Sequence, residues 1–307
     1  MDVVAGPWAT RPASRLVVLL SSERSGSTLL RVMLGAHSRV VAPQELFLLR
    51  YPEFDSWRRQ KSVAIESLVE LFFLLGRPLA EPDIDARCRG RSSVDVYRWL
   101  FEQLPPRTYL LDKTPAYTND MATLMRSATL APFYIWLIRH PLGVIDSHVR
   151  LKATARHRPL SRRVLDPVRD VVERWTSGMS ALARERETKW VVQNLNVRNF
   201  LRQIPSDQQS VVYFEELVRA PAAVLSALCS TIGIATEPAM LLPDTQQVMN
   251  PQLGDPTFHL HERIDPAPTE SWMQRYDESQ LRAETQRLMR QIGVSSRRSR
   301  HSPSFAA

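Results

Sequence analysis

The stretch Ser22-Glu23-Arg24-Ser25-Gly26-Ser27-Thr28-Leu29-Leu30-Arg31 decides the fold. It follows residues 15–22 (RLVVLLSS), whose apolar run predicts a buried parallel strand, and it opens an amphipathic helix predicted from about residue 26 to residue 36. A turn between a strand and a helix presents backbone N–H groups and the positive helix end, which suits an anion. Glycine lets backbone and ligand approach closely, and the turn adds further donors in Arg24, Ser25, Ser27 and Thr28.

The turn resembles the phosphate loop of nucleotide-triphosphate enzymes only in part. That loop reads GxxxxGK[ST], and here Gly26 and Thr28 match, whereas Ser21 replaces the first glycine and Ser27 replaces the lysine. Without that lysine, a site for a β/γ-phosphate beside Mg²⁺ is poorly supported. An ordinary capped helix remains the alternative, since Ser and Thr are common N-caps.

A second strand-to-helix turn repeats this architecture at residues 136–147 (WLIRHPLGVIDS). Arg139 leaves the end of a predicted strand, Pro141 suits the first position of a helix, and Ser147 follows about two turns later. Two anion sites of different chemistry in one parallel sheet suit a nucleotide that carries phosphates at both ends of its ribose.

The rest of the chain alternates between predicted strands and helices. Further strands are predicted at residues 108–111, 133–138 and 210–214. Helices are predicted at residues 62–75, 94–104, 119–127, 166–204 with a break, 221–232 and 269–292. This alternation predicts an α/β fold of three layers, P-loop-like, with a central parallel sheet flanked by helices.

The domain organisation follows from the same pattern. We expect a single domain over residues 15–293, with a helical cap inserted at 51–106 and an active-site loop at 243–268. An N-terminal arm (1–14) and a basic tail (294–307) are predicted to be disordered.

Composition limits the classes of partner. The net charge of +8 would suit nucleic acid, a membrane surface or small polyanions, and 44% hydrophobic residues can supply a full core. The basic stretch at 150–163 lacks the interleaved aromatic residues of a single-strand nucleic-acid groove. No apolar stretch approaches the length of about 20 residues that a membrane span needs, and there are only two cysteines. We therefore expect a cytoplasmic protein with no nucleic-acid or membrane partner.

Several segments resemble a known family. SSERSGSTLLRVML (21–34) is similar to the 5′-phosphosulfate loop of sulfotransferases that use 3′-phosphoadenosine-5′-phosphosulfate (PAPS), LIRHPLGVIDS (137–147) to their 3′-phosphate motif, and VVYFEELV (211–218) to a strand of theirs. APQELFLL (42–49), LLDKTPAY (110–117) and GDPTFHLHERIDPAPTESW (254–272) resemble sulfotransferase domains of modular polyketide synthases.

The resemblance implies an activity. PAPS would donate its sulfuryl group to an acceptor hydroxyl and leave as 3′-phosphoadenosine-5′-phosphate (PAP). The acceptor would be the β-hydroxyl of an acyl chain attached through phosphopantetheine to an acyl carrier protein. Such chemistry needs no metal, and no cluster of metal ligands stands out in the sequence.

The resemblance also implies catalytic roles. Glu45 would be the general base, although its position alone would suit an exposed carboxylate; His261 is the competing base or a helper. Arg24 would stabilise charge on the sulfuryl group and the bridging oxygen. Lys113 would contact the transferred group or the leaving phosphate, with a solvated lysine as the alternative.

The binding residues follow from the same motifs and from the basic segment 156–163. The predicted donor-binding residues are Arg24, Ser25, Gly26, Ser27, Thr28, Arg139, Ser147, Tyr213 and Arg263. Of these, Tyr213 would lie near the adenine, but a tyrosine in a buried strand is more often part of the core. The predicted acceptor-binding residues are Arg156, Arg158 and His259, the two arginines facing the phosphate of the phosphopantetheine.

Other functions stay open at this point. The acceptor could instead be a carbohydrate, a lipid or a tyrosyl group. A second enzyme class is a P-loop kinase or nucleotide hydrolase, and a non-catalytic class is a basic module that binds nucleic acid or a carrier protein.

Overall fold

A parallel sheet lies at the centre of the structure. The computed structural model describes residues 15–155, 179–242 and 269–294. The strands in these ranges are β1 (Leu16–Ser21), β2 (Val40–Val41), β3 (Tyr109–Lys113), β4 (Phe133–Ile138) and β5 (Gln209–Tyr213). They are all parallel and lie in the order β2-β3-β1-β4-β5, so β1 is central.

Helices connect and cover the strands. They are α1 (Ser27–Gly35), α2 (Phe54–Gln60), α3 (Ile65–Leu74), α4 (Glu81–Cys88), α5 (Ser93–Gln103), α6 (Met121–Ala128), α7 (Pro141–Ala155), α8 (Ala181–Leu201), α9 (Phe214–Arg219), α10 (Pro221–Ile232) and α11 (Ala283–Gln291). Short 3₁₀ turns lie at Leu48–Arg50, Ser62–Ala64, Pro115–Asn119, Ser206–Gln208, Pro238–Leu241, Ser271–Gln274 and Glu278–Gln280. Among the described residues, none of the helices is both long enough and apolar enough to cross a lipid bilayer.

Alternate residues of β1 face two different cores. Leu16, Val18 and Leu20 pack with α8 and with the helices α2 to α5, which we call the cap helices. Val17 and Leu19 pack with α1 and α10. All six positions of β1 are buried, as expected for a central strand covered on both faces. The predicted α/β fold is confirmed.

The register places three strand ends beside one another. Leu19 of β1 pairs with Lys113 at the end of β3, and Ser21 of β1 pairs with Leu137 of β4. The carboxyl ends of β3, β1 and β4 therefore lie side by side, at the edge where parallel sheets bind ligands.

The observed element bounds follow most of the predictions. β4 and α10 begin and end at the predicted residues, and α7 begins at Pro141 as expected. β3 runs two residues further than predicted, because its pairing with β1 continues through the polar pair Asp112 and Lys113. Helices α2 to α5 lie in the range predicted to be mainly helical.

The predicted helix over residues 269–292 is wrong in its first half. Two 3₁₀ turns occupy that part, and the helix α11 begins only at Ala283. Arg275 binds Asp146 of α7 and Trp272 stacks on His140, so contacts with α7 hold the segment in another path. The Asp277 side chain also accepts from the backbone of Ser279, which favours a tight turn over a continuing helix.

Some elements were not predicted individually, namely β2, α2, α4 and α9. The predicted helix over 166–204 is described only from residue 179, and α8 begins after Ser180, whose hydroxyl accepts from the backbone of Ala183. The predicted arm (1–14) and the predicted loop (243–268) lie outside the described residues, as does the predicted tail apart from Val294.

Candidate functional site

The first turn, between β1 and α1, has an unusual backbone. Arg24 and Gly26 adopt left-handed conformations, with φ of 63° and 87°. A Cβ on Gly26 would lie 2.3 Å from the ring of Phe214. The glycine is therefore needed for its backbone conformation and for the close approach of Phe214, in addition to the approach of a ligand that the sequence suggested.

Hydroxyl groups line this turn. Ser22 and Ser25 share a hydrogen bond of 2.7 Å between their hydroxyl oxygens. Ser25, Ser27 and Thr28 are all buried at the start of α1, where backbone N–H groups have no partner within the helix. The arrangement offers hydroxyl and amide donors together, which is what a phosphate binds.

A helix distant in sequence holds the same turn. Lys189 of α8 forms an ion pair of 2.6 Å with Glu23. Arg186, one turn earlier on α8, lies 3.9 Å from the same carboxylate. Because the two segments are more than 160 residues apart, no local pattern predicted this contact.

The second turn, between β4 and α7, points Arg139 at the first. Its Nη1 donates to the carbonyl oxygen of Arg24 over 2.9 Å, and its guanidinium lies 4.5 Å from the centre of the Phe214 ring. Gly143 leaves room for it, since a Cβ there would lie 3.0 Å from the Arg139 Nε. Trp190 of α8 donates from its indole to the Arg139 carbonyl over 3.0 Å and so fixes the backbone of this residue.

The two predicted phosphate turns meet directly. The Nε of Arg24 donates to the hydroxyl of Ser147 on α7 over 3.1 Å. Together with the bond from Arg139 to the Arg24 carbonyl, this joins the two turns by two hydrogen bonds. A ligand of nucleotide size can therefore reach both.

The electrostatics of this junction favour an anion. Burial lowers the pKa of Arg139 to about 10; the nearby Glu215 opposes this shift and Arg24 adds to it. A desolvated guanidinium beside a second one gains when a phosphate supplies negative charge and accepts its hydrogen bonds. The described residues thus fit a phosphate-bearing ligand.

Glu45 and Lys113 form an ion pair at the carboxyl end of β3, the strand next to β1. Lys113 Nζ lies 2.6 Å from the Glu45 Oε1, and the Lys113 side chain is only 1% exposed. Lys113 is therefore buried at the carboxyl end of β3 and is not a solvated lysine. Glu45 is 13% exposed, which also departs from an exposed surface carboxylate.

Two further buried charged groups, Glu70 and Arg31, interact electrostatically with the ion pair of Glu45 and Lys113. Burial raises the pKa of Glu70, and the backbone N–H of Gln44 donates to this carboxylate over 2.7 Å. Burial lowers the pKa of Arg31, which donates to the carbonyl of Ala42. The segment that bears Glu45 is therefore held in a charged but buried environment.

A comparison with protein families agrees with this geometry. The family model described as "Sulfotransferase family" matches residues 17–238, which is most of the chain and includes both turns. The chain belongs to the sulfotransferase family. The family favours sulfuryl transfer over the kinase and over the non-catalytic binding module.

Two solved sulfotransferase structures resemble the chain over most of its length. The "Sulfotransferase Domain from the Curacin Biosynthetic Pathway" is 30% identical, with a TM-score of 0.74, and the match covers 91% of this chain and 97% of that domain. The "Sulfotransferase Domain from the Synechococcus PCC 7002 Olefin Synthase" is 29% identical, with a TM-score of 0.75 and coverage of 92% and 95%. A search of curated proteins found no match.

Of the remaining predicted site residues, only Tyr213 lies within the described ranges. The hydroxyl of Tyr213 donates to the carbonyl of Ile292 over 2.8 Å, and it lies 2.4 Å from where a Cβ on Gly293 would be. This contact suits the core interpretation of Tyr213, and a place near the adenine stays a prediction. The predicted residues that lie outside the described ranges are Arg156, Arg158, His259, His261 and Arg263.

Other residues of this sulfotransferase site had no sequence signal. Phe214 supports both Gly26 and Arg139, yet it reads as an ordinary strand-end aromatic residue. Within the described ranges no group of three or more His, Cys, Asp or Glu side chains could hold a metal ion. That the reaction needs no metal stays a prediction.

Proposed function

We propose that the chain transfers the sulfuryl group of PAPS to an acceptor hydroxyl. The observation that carries this proposal is the meeting of the two turns, in which Arg24 binds Ser147 and Arg139 binds the Arg24 carbonyl. One adenosine with phosphates on its 3′ and 5′ oxygens can touch both turns at once. ATP carries no 3′-phosphate, so it would leave Arg139 and Ser147 without their ligand.

The residues of each turn bind one end of the donor. Ser25, Ser27 and Thr28, with the N–H groups that begin α1, hold the 5′-phosphosulfate. Arg139 and Ser147 hold the 3′-phosphate, and ionic hydrogen bonds of this kind are stronger than neutral ones. Arg263 would add a donor to the 3′-phosphate, as the family resemblance implies.

Glu45, Lys113 and Arg24 carry the reaction. Glu45 takes the proton as the acceptor O–H bond breaks and the acceptor oxygen forms its bond to sulfur. Arg24 and Lys113 donate to the oxygens on which negative charge grows, including the bridging oxygen that keeps the electron pair of the broken S–O bond. The 2.6 Å ion pair places the base and the cation next to each other before the acceptor arrives.

For the acceptor we propose an acyl chain with a β-hydroxyl, carried by an acyl carrier protein. Two lines support this choice: the similarity to solved domains from the curacin pathway and from an olefin synthase, and the segments that resemble those of polyketide synthases. Arg156 and Arg158 would bind the phosphate of the phosphopantetheine arm, and His259 and His261 would orient the hydroxyl.

Calorimetry tests the donor half of this proposal. Titration with PAP should show saturable binding, and titration with ATP and Mg²⁺ should show binding at least about tenfold weaker, since the 3′-phosphate contacts are missing. Equal affinity for both ligands, or no affinity for PAP, would remove PAPS from the proposal.

Mass spectrometry tests the acceptor half. With PAPS, a β-hydroxyacyl carrier protein should gain one sulfuryl group faster than the same acyl chain on free pantetheine. Changing Arg156 and Arg158 to Ala should slow transfer to the carrier-bound chain. A matched double change to Ala at Arg107 and Arg202, which precede β3 and β5 on the amino-terminal side of the sheet, should not slow transfer. Equal rates with carrier-bound and free chains would favour a small-molecule acceptor.

A further inference from the structure

The backbone that carries Glu45 is held by side chains from several other elements. Between Gln44 and Leu49, most of these bonds come from the cap helices and from residues after β3. The side chains that bind this backbone are Trp57, Ser67, Glu70, Thr114, Tyr117 and Arg126. A loop fixed in this way keeps one conformation, which an active-site base needs.

The two side chains of this set that come directly after β3, Thr114 and Tyr117, both bind Asp112, a residue of β3. It is fully buried, and three hydroxyl groups donate to its carboxylate. Thr114 donates to Oδ1 over 2.9 Å, Tyr117 donates to Oδ2 over 2.8 Å, and Tyr97 also donates to Oδ2. Burial raises the pKa of Asp112, and the three donated hydrogen bonds oppose that shift.

Two of these hydroxyls also bind the backbone of residues 44–49, which we call the Glu45 segment. The Thr114 oxygen accepts from the backbone N–H of Phe47 over 3.3 Å, and the Tyr117 oxygen accepts from the N–H of Leu49 over 3.2 Å. Because each hydroxyl has one proton and gives it to Asp112, its oxygen is left to accept from the amide.

One of these two amides belongs to a residue in a costly conformation. Phe47 has a φ of 56°, a left-handed backbone that is unfavourable for a residue with a side chain. The bond from its N–H to Thr114 and the neighbouring bond from Leu49 to Tyr117 hold this turn closed. The conformation at Phe47 therefore sets the direction in which Glu45, two residues earlier, reaches Lys113.

We propose that Thr114 and Tyr117, whose hydroxyls both donate to Asp112, are positioning residues for Glu45. The role of Glu45 as base rests on the proposed function, whereas the positioning itself does not. Asp112 orients the two hydroxyls, the hydroxyls fix the backbone turn at Phe47, and the turn presents the carboxylate of Glu45 beside Lys113.

A matched pair of tyrosines tests the proposal. Tyr97 and Tyr117 are both buried and both donate to the Asp112 Oδ2, but only Tyr117 accepts from the Glu45 segment. Tyr117→Phe should therefore raise the rate of backbone hydrogen exchange in the peptide covering residues 44–50, and should lower kcat about tenfold with little change in the Kd of PAP. Tyr97→Phe removes a donor to Asp112 and a hydroxyl that lies 3.5 Å from the Tyr117 hydroxyl, but no bond to the Glu45 segment, so it should change the exchange rate and kcat by less than Tyr117→Phe does.

A second pair covers the case in which Tyr117→Phe does not fold. Thr114→Val removes the hydroxyl at nearly constant volume, and Thr114→Ser keeps it. The valine variant should show the faster exchange and the lower kcat, and the serine variant should restore both toward the wild type.

Two results would overturn the proposal. One is an equal effect of Tyr97→Phe and Tyr117→Phe on exchange in residues 44–50; the other is a serine variant that behaves like the valine variant. Hydrogen exchange needs no substrate, so this outcome is independent of whether PAP binds. Failure of the wild type to bind PAP would contradict the proposed function and leave the exchange result standing.

Discussion

Arg24 donates from its Nε to the hydroxyl of Ser147 over 3.1 Å, across 123 positions of the sequence. One residue belongs to the turn after the central strand β1, and the other lies on α7 after the neighbouring strand β4. The contact shows that two turns of similar design share one space. A nucleotide with a phosphate at each end of its ribose is the ligand that this arrangement suits.

Removal of the Arg139 guanidinium should weaken the binding of PAP. Arg139→Ala deletes an ionic hydrogen-bond donor that is buried and already desolvated, so we expect a loss of about 2 kcal/mol, close to thirtyfold in Kd. Calorimetry measures this. Arg139→Lys should recover only part of the affinity, because a lysine lacks the planar fork of donors. Arg219→Ala, at an exposed arginine, is the control, and an unchanged Kd in Arg139→Ala would exclude this residue from the site.

Neutralisation of Glu45 should strongly slow sulfuryl transfer and should leave the affinity for PAP nearly unchanged. Glu45→Gln removes the group that takes the acceptor proton, so turnover should fall about a hundredfold or more while the Kd of PAP stays within about twofold. Steady-state kinetics and calorimetry measure the two effects. Glu102→Gln, at an exposed glutamate on α5, is the control. Normal turnover in Glu45→Gln would transfer the role of base to His261.

The same change should also cost stability. Glu45→Gln removes the carboxylate that pairs with the buried Lys113 ammonium at 2.6 Å, and we expect the free energy of unfolding to fall by about 2 kcal/mol. The double variant Glu45→Gln with Lys113→Met should regain most of that loss but none of the turnover. Denaturant unfolding measures it, and a double variant less stable than either single variant would contradict a buried, coupled pair.

Two glycines with left-handed backbones should respond differently to alanine. Gly76 has a φ of 66° and no atom within 4 Å of an added Cβ, so Gly76→Ala should cost only the backbone strain of about 1 kcal/mol. Gly26→Ala adds a clash with the Phe214 ring, and we expect a loss of about 3 kcal/mol together with weaker PAP binding. Equal losses in the two variants would mean that the Phe214 ring moves aside freely.

Acid should destabilise the fold through His148. Burial lowers the pKa of this imidazole to about 4, and the neighbouring Arg186, Arg24 and Lys189 act in the same direction against Glu23. Between about pH 6.5 and pH 4 the unfolded chain therefore binds the proton more readily than the folded chain, and stability is lost as the pH falls, by up to about 3 kcal/mol.

His148→Gln removes this dependence. The difference in unfolding free energy between the variant and the wild type should be small at pH 7.5 and should turn in favour of the variant at pH 4.5. Denaturant unfolding at the two pH values measures it. Parallel pH curves for the two proteins would show that His148 titrates as it does in the unfolded chain.

Local patterns predicted the strands β1, β3, β4 and β5, the two turns and the helices that follow those turns. The buried run of β1 lies within about ten residues of Gly26, and the buried run of β4 lies within about ten residues of Pro141, so each pair is a local signal. The 3₁₀ turns before α11 could not be predicted in this way. The path of that segment is decided by the stacking of Trp272 on His140 and by the ion pair of Arg275 with Asp146 of α7.

Residue type and short-range spacing are properties of the chain before it folds, and they were enough to select a parallel α/β sheet with two candidate anion-binding turns at its carboxyl edge. Which side chains meet there is a property of packing. The contacts of Glu45 with Lys113, of Lys189 with Glu23, and of the Thr114 and Tyr117 hydroxyls with the backbone after Glu45 join segments whose relative placement only the assembled sheet and its helices establish. Distance along the chain carries no information about those meetings, since hydrophobic burial on both faces of the sheet brings the segments together.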